Sequence, residues 1–261
     1  MKAMIFAAGL GTRLRPLTDR IPKALVPVAG VPLLQRVLLK LKDVGITDIT
    51  VNIHHRGQQI IDFLQTHRNF GLDIHISDER TALLDTGGGI LHARRFLDGD
   101  EPFLVHNADI LTDADLDALI DTHRRNGDEA TLLVSPRTTS RYLLFDDSLR
   151  LHGWTNKKTG EVRPAGLTGT YRELAFAGIH LLSPSIFRLM DEPLWQGRPF
   201  SIIDFYLHIC PRAKVSGCLF SGTHWFDTGT PDTLGRAEAW YSARRQPLRT
   251  TIGTGSHGQH P

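Results

Sequence analysis

The residues best suited to chemistry come early: Gly9-Leu10-Gly11-Thr12-Arg13-Leu14-Arg15-Pro16-Leu17-Thr18, then Pro22-Lys23. Lys2 to Ala8 reads as a short buried strand, so the glycines follow a strand end. There, backbone N–H groups can approach an anion closely. Arg13, Arg15, Arg20 and Lys23 crowd the same stretch against a single acid, Asp19. Cations around a glycine nest suit a polyphosphate. A basic surface loop is the plainer reading, and for Arg15 and Arg20 a solvated side chain is the default. Two familiar phosphate loops do not fit. The dinucleotide fingerprint needs a third glycine where Leu14 stands, and Pro16 opposes an immediate helix. The Walker loop needs a terminal Gly-Lys-Ser/Thr, which is absent.

Three further elements could share that chemistry. Asp85-Thr86-Gly87-Gly88-Gly89 allows close backbone approach, here to a base and ribose, although a plain turn would also explain it. Asp109, after the apolar Phe103-Leu104-Val105, is a carboxylate at a strand end. It could hold Mg²⁺ while substrate phosphates complete the oxygen shell. Thr112 and Asp113 look better placed than Asp109 to cap the following helix. Asp227-Thr228-Gly229-Thr230-Pro231 reads, alone, as a turn into a helix. No Ser-His or Cys-His nucleophile pairing appears. The 13 histidines are scattered, and adjacent His54 and His55 read as structural or substrate-adjacent.

Strand and helix alternate through the first half of the chain. Leu34, Val37, Leu38 and Leu41 repeat with a helical period, and Gly45 ends that helix. Ile49, Val51 and Ile53 alternate as a strand. Further helices are expected over 58–66, 87–96, 113–123, 185–190, 201–209 and 230–245. Further strands are expected over 72–76, 103–105, 130–134 and 215–220. This order implies right-handed crossovers and a mainly parallel sheet, so the fold class is α/β and Rossmann-like. Residues 135–182 read as a small antiparallel insert on the substrate side. One domain over 1–246 is expected, with a mobile tail over 247–261 that has almost no apolar content.

The chain has 261 residues, 41 % hydrophobic and 22 % charged, a composition typical of a globular protein. A net charge of +2 gives no bulk attraction to nucleic acid or membrane. No apolar run is long enough for a membrane span, and none resembles a secretory signal. Cys210 and Cys218 fit neither a disulfide framework nor a redox pair and are expected as buried free thiols. A cytoplasmic enzyme is the expectation, and a homodimer stays open.

The Gly-x-Gly-Thr-Arg-x-x-Pro-Leu-Thr and Pro-Lys pattern closely resembles the sugar-1-phosphate nucleotidyltransferases. The resemblance runs over roughly residues 1–240. It implies the nucleotide-diphospho-sugar transferase fold and transfer of a nucleotidyl group from a nucleoside triphosphate to a sugar 1-phosphate. It makes Arg13 the catalytic cation, with Lys23 on phosphate. Ala8, Gly9, Gly11, Thr12, Asp85, Gly87 and Gly88 would complete the nucleotide site. Asp109 and Asp227 become the Mg²⁺ ligands, and Asn107 contacts nucleotide or sugar. Ala108 replaces the family's usual glycine, which matters only if that position needs a positive φ. Gly178 would either leave room for the sugar ring or be a buried strand glycine. Lys157 is a candidate for the sugar phosphate. Asn156 stands where a glutamate is usual, which loosens the sugar's identity. The Asp-Thr-Gly-Gly-Gly element is closest to that of N-acetylmuramate-1-phosphate uridylyltransferases. No left-handed repeat domain is expected after Asp227, which favours the compact relatives. Guanylyl-, thymidylyl- or cytidylyl transfer to another sugar 1-phosphate or to phosphocholine stays open, as does a non-catalytic nucleotide-binding module.

Overall fold

The computed structural model of the protein describes residues 1–220, 222 and 224–244. The expected tail over 247–261 lies outside the described residues.

Strand β1 (Lys2–Phe6) is central. After it come short turns and a small hairpin, β2 (Pro27–Val28) with β3 (Val31–Pro32), then helix α1 (Leu33–Asp43). Strand β4 (Asp48–Ile53), helix α2 (Gly57–Thr66) and strand β5 (Asp73–Asp78) follow. Helices α3 (Asp85–His92) and α4 (Arg94–Leu97) lead to β6 (Phe103–Asn107). Strand β1 pairs in parallel with both β4 and β6, with Lys2 opposite Asp48 and Phe103. Strand β5 extends the parallel block beyond β4.

The second half adds β7 (Ile110–Thr112), α5 (Leu116–Asn126), β8 (Ala130–Ser135), β9 (Arg141–Phe145), β10 (Leu151–Asn156), β11 (Glu161–Arg163) and β12 (Arg172–Leu182). Helices α6 (Ile186–Met190) and α7 (Ile202–Ile209), strands β13 (Val215–Leu219) and β14 (Trp225–Asp227), and helix α8 (Pro231–Arg244) complete the described chain. Long β12 is the hinge of the sheet. Its second half runs antiparallel to β6 and β8, while its first half leaves the main block to pair with β9. Strands β9, β10 and β11 form the expected antiparallel insert on that branch. Strand β8 also pairs in parallel with β13. The carboxyl ends of β1, β4, β6, β8 and β13 therefore share one edge of the sheet.

The sheet is covered on both faces, so its strands are apolar on both sides. Ala3 and Ile5 join α1, α2 and α5 on one face through Leu34, Leu38, Leu41, Ile60 and Leu119. Met4 points the other way, into a cluster with Ile90, Phe187, Phe205 and Tyr206. Alternation along one strand thus builds two cores.

Two element expectations are corrected. Helix α5 starts at Leu116, and Asp115 caps it by accepting from Ala118 N at 3.0 Å. Thr112 belongs to β7, where it pairs with Trp225 of β14, a partner far away in sequence. The helix expected over 87–96 starts earlier and is interrupted: α3 runs from Asp85 to His92 with the glycine run inside it, and α4 follows.

Candidate functional site

A cleft of about 480 Å³ opens at the carboxyl edge of the parallel block. Phe6, Ala7, Ala8, Gly9, Lys23, Asn52, Glu79, Asp85, Thr86, Asn107 and Asp109 are among its walls. This is where α/β sheets bind ligands, because loops diverge there and leave strand ends uncovered.

The loop after β1 is shaped by three anchors. Asn52, at the end of β4, accepts from Ala7 N at 2.7 Å and Ala8 N at 3.2 Å. Thr18 donates to the Gly11 carbonyl at 2.7 Å and packs where a β-carbon on Gly11 would stand, at a φ of 64° that glycine tolerates best. Leu14 is buried against Val26, Leu111 and Phe226. Between these anchors the amides of Gly9, Leu10, Gly11, Thr12 and Arg13 make no hydrogen bond to any described residue. Space around Gly9 is open. The result is a row of unbonded donors at the cleft mouth, the backbone arrangement an anion needs.

Arg13, Lys23, Asp109 and Asp227 come together although the sequence separates them widely. Asp109 occupies the corner between β6 and β7, and Lys23 Nζ donates to its Oδ2. Strand β14 pairs with β7 so that Asp227 faces Ile110, and both Thr228 N and its hydroxyl donate to the Asp109 carbonyl at 2.9 Å. A β-carbon at Gly229 would stand 2.5 Å from Arg13 Nη2, 2.8 Å from Asp227 Oδ1 and 3.1 Å from Lys23 Nζ. That one glycine is the floor on which two cations and a carboxylate meet. Ala108 has no positive φ, so the side chain there is accommodated. Asp109 and Asp227 are the hard oxygen donors at this mouth. Two carboxylates leave most of an octahedral shell to phosphates and water, which suits magnesium. A second acidic group, Asp48, Asp73 and His75, lies on the β4–β5 pair at its amino-terminal end.

The inner end of the cleft holds residues that the sequence reading did not single out. Glu79 is 2 % exposed, and its Oε1 accepts from Asn52 Nδ2 at 2.8 Å. Burial raises its pKa, against the opposing pull of the Asn52 hydrogen bond. His54 is structural, with Nδ1 2.7 Å from the Glu79 carbonyl. A signal for Asn52 and Glu79 existed: both are polar residues at the carboxyl ends of adjacent strands.

The structure places four expected contact residues, Gly87, Gly88, Asn156 and Lys157, off the cleft wall, and it decides between the readings left open for Gly178 and Arg15. Gly87 and Gly88 are buried, and their amides donate to the Phe200 carbonyl at 2.8 and 3.3 Å. They are glycines because the 198–200 segment presses onto α3, where a β-carbon at Gly87 would overlap the Phe200 ring. Asp85 and Thr86 face the cleft in their stead. Asn156 and Lys157 lie at the β10–β11 turn and do not line the cleft; Lys157 is ion-paired with Glu173. Gly178 leaves no room for a ring, since a β-carbon there would meet Asn107 Nδ2 at 3.0 Å and Ile110 at 2.9 Å. Its φ of 78° lets β12 bulge and seat Asn107, which does line the cleft. Arg15 forms an exposed pair with Asp19 at 3.3 Å and lies outside the cleft.

Comparison with known proteins accords with this arrangement. The family described as nucleotidyl transferase matches residues 2–244. This chain belongs to the nucleotidyl transferase family. It is 35 % identical over 240 residues to an N-acetylmuramate alpha-1-phosphate uridylyltransferase of Neisseria meningitidis, covering 92 % of this chain and 97 % of that protein. It is 31 % identical to a probable mannose-1-phosphate guanylyltransferase of Oryza sativa, covering 98 % of this chain and 69 % of the relative. Among solved structures, a putative glucose-1-phosphate thymidylyltransferase from Bacillus anthracis superposes with a TM-score of 0.77 at 23 % identity, over 93 % of this chain and 95 % of that one. The protein is thus a nucleotidyltransferase with the fold expected from its sequence. No helix among the described residues is long and apolar enough to cross a membrane.

Proposed function

We propose that this nucleotidyltransferase joins a nucleoside triphosphate to a sugar 1-phosphate, with UTP and N-acetylmuramate 1-phosphate as its substrates. The observation that carries the reading is the meeting of Arg13, Lys23 and Asp227 around Gly229, beside the row of unbonded loop amides. Charge accumulates on the β- and γ-phosphates as pyrophosphate leaves. Fixed donors and cations aimed there lower the barrier. An acceptor phosphate oxygen attacks the α-phosphorus, the bond to the β-bridging oxygen breaks, and its electrons leave with pyrophosphate. Asp109 and Asp227 have the chemistry to hold magnesium, which when bound screens the facing phosphates. Until phosphates arrive, Lys23 holds Asp109 in place. The Glu79 carboxyl, deep in the cleft, can pair with a base N–H.

Support for the choice of substrate comes from the similar Neisseria protein, which the alignment covers almost completely. A guanylyl donor with mannose 1-phosphate is the second reading. The Oryza relative favours it, and a carboxyl can accept from the N1–H of guanine as from the N3–H of uracil. Pyrophosphate release, measured with magnesium over a grid of nucleoside triphosphates and sugar 1-phosphates, tests both readings. One strong response with UTP and N-acetylmuramate 1-phosphate is expected. A maximum with GTP and mannose 1-phosphate would replace the first reading by the second, and an empty grid would remove both.

A further inference from the structure

A second cavity, of about 620 Å³, lies on the same edge of the sheet. It is bounded by the segment after β8, the end of β13, strand β14 and the first turns of α8. Asp227 forms part of its wall, while Lys23 and Asp109 line the first cleft. Its volume is that of a small-ligand site. Arg137 and Arg236 bring two cations to it, and Thr138 a hydroxyl.

Arg137 is held as if for a ligand. Its guanidinium lies 3.8 Å over the Trp225 ring. Trp225 is fixed in turn, donating Nε1–H to the Ala177 carbonyl at 2.9 Å. Arg137 Nη2 donates to the Phe176 carbonyl at 2.7 Å. The guanidinium plane is therefore set from one face and one corner. Nε is buried without a hydrogen-bond partner, and although the Asp227 carboxylate acts on it electrostatically, Arg137 forms no ion pair within 4.0 Å among the described residues. A half-buried cation with unused donors destabilises a fold unless something supplies the missing oxygens. A planar fork with free edges matches a carboxylate or a phosphate.

Which reactant it faces follows from the geometry of displacement. Pyrophosphate must leave on the side of the α-phosphorus opposite the attacking oxygen. The loop amides, Arg13 and Lys23 already serve the leaving side. The cations beyond Asp227 are left for the other reactant.

We propose that the Arg137 cavity is an acceptor subsite, in which the Arg137 guanidinium holds an oxyanion of the sugar phosphate. This rests on the transfer reaction proposed above. Two oxyanions have the right chemistry: the 1-phosphate itself, and the lactyl carboxylate that distinguishes N-acetylmuramate from N-acetylglucosamine. Removing the fork by Arg137→Gln should raise KM for the acceptor about tenfold to a hundredfold, the usual cost of a charged hydrogen bond. KM for UTP should not change. Arg137→Lys keeps the charge without the fork and should fall between the two. It also carries the test if the glutamine variant fails to fold. Equal losses with N-acetylmuramate 1-phosphate and N-acetylglucosamine 1-phosphate assign the fork to the 1-phosphate. A loss confined to the muramate assigns it to the carboxylate. A raised KM for UTP, or no change in either KM, overturns the proposal.

Binding separates this proposal from the reaction on which it rests. N-acetylmuramate 1-phosphate alone should raise the melting temperature of the wild type and not that of Arg137→Gln. If that difference appears in a protein that releases no pyrophosphate, the subsite stands and the transfer reading falls. If pyrophosphate is released but the variants bind the acceptor like wild type, the subsite falls alone.

Discussion

Arg13 is exposed at the rim of the cleft, yet its guanidinium is the group nearest to the floor at Gly229. An exposed cation contributes little to stability, so its replacement should report on chemistry. Arg13→Ala is expected to lower kcat about a hundredfold, as loss of one donor to a developing oxyanion does, with the melting temperature unchanged. A change confined to KM would make Arg13 a binding residue and leave transition-state stabilisation to Lys23 and the loop amides. At this scale the sequence was most informative where residue type and chemistry coincide. Arg13 and Lys23 stood out as cations around a glycine loop and Asp109 as a carboxylate at a strand end, whereas Asp227, alone a turn residue, was picked out only through the family resemblance. Gly87 and Gly88 were misread, and Gly178 was left between two readings, because a glycine states only that something comes close. Whether that something is a ligand or Phe200 and Asn107 depends on segments distant in sequence. Lys157 was misread because its partner, Glu173, belongs to a neighbouring strand.

The small β7–β14 pair and the α3 helix decide whether the site forms; the pair was not visible in the sequence, and of α3 only the helix itself was, not its packing. Helix periods, the parallel order and the antiparallel insert could all be read locally, since periodicity is a local property. Pairing of β7 with β14 is not local: it joins Thr112 to Trp225, and it alone brings Asp227 beside Asp109. Helix α3 shows the same dependence. Gly87 makes room for Phe200, and Thr86 Oγ1 accepts from Ile202 N at 2.9 Å, so α3 and α7 are tied across the cleft wall. Gly87→Ala should therefore destabilise the protein by about 1–3 kcal/mol in urea unfolding, the range for overpacking a filled site. Phe200→Leu in the same chain should recover much of that loss, because it removes the ring atoms the new methyl would strike. A Gly87→Ala protein as stable as wild type would mean that α3 can shift away from the 198–200 segment. The close approach would then not be what requires glycine.

Across the whole molecule, three buried histidines couple the two cores to pH. His106 and His180 sit on paired strands β6 and β12, and each is 1 % exposed. His123 of α5 lies between Thr131 at 2.8 Å and Ser183 at 3.1 Å. Burial lowers all three: His106 and His123 to about 4, and His180 to about 3, where the neighbouring His106 adds to the effect. The unfolded chain takes up these protons near pH 6.5, whereas the folded chain refuses them until well below that. Stability is thus complete above pH 6.5 and declines as pH falls toward 4. Each histidine contributes about 1.4 kcal/mol per pH unit inside that window, or about 3 kcal/mol in all. Acidic side chains paired in the fold, such as Asp78 with Arg80, titrate in the same direction, so the wild-type profile alone does not isolate the histidines. His180→Gln separates them. Glutamine can still meet the Tyr206 hydroxyl, which lies 2.5 Å from His180 Nδ1, and it cannot titrate. The variant is expected to start less stable at pH 7.5 and to lose less on acidification, so that the two stability curves converge by pH 4.5. Parallel curves from 7.5 to 4.5 would show that His180 accepts its proton inside the fold. The acid sensitivity would then have to arise from His106, His123 and the carboxylates instead.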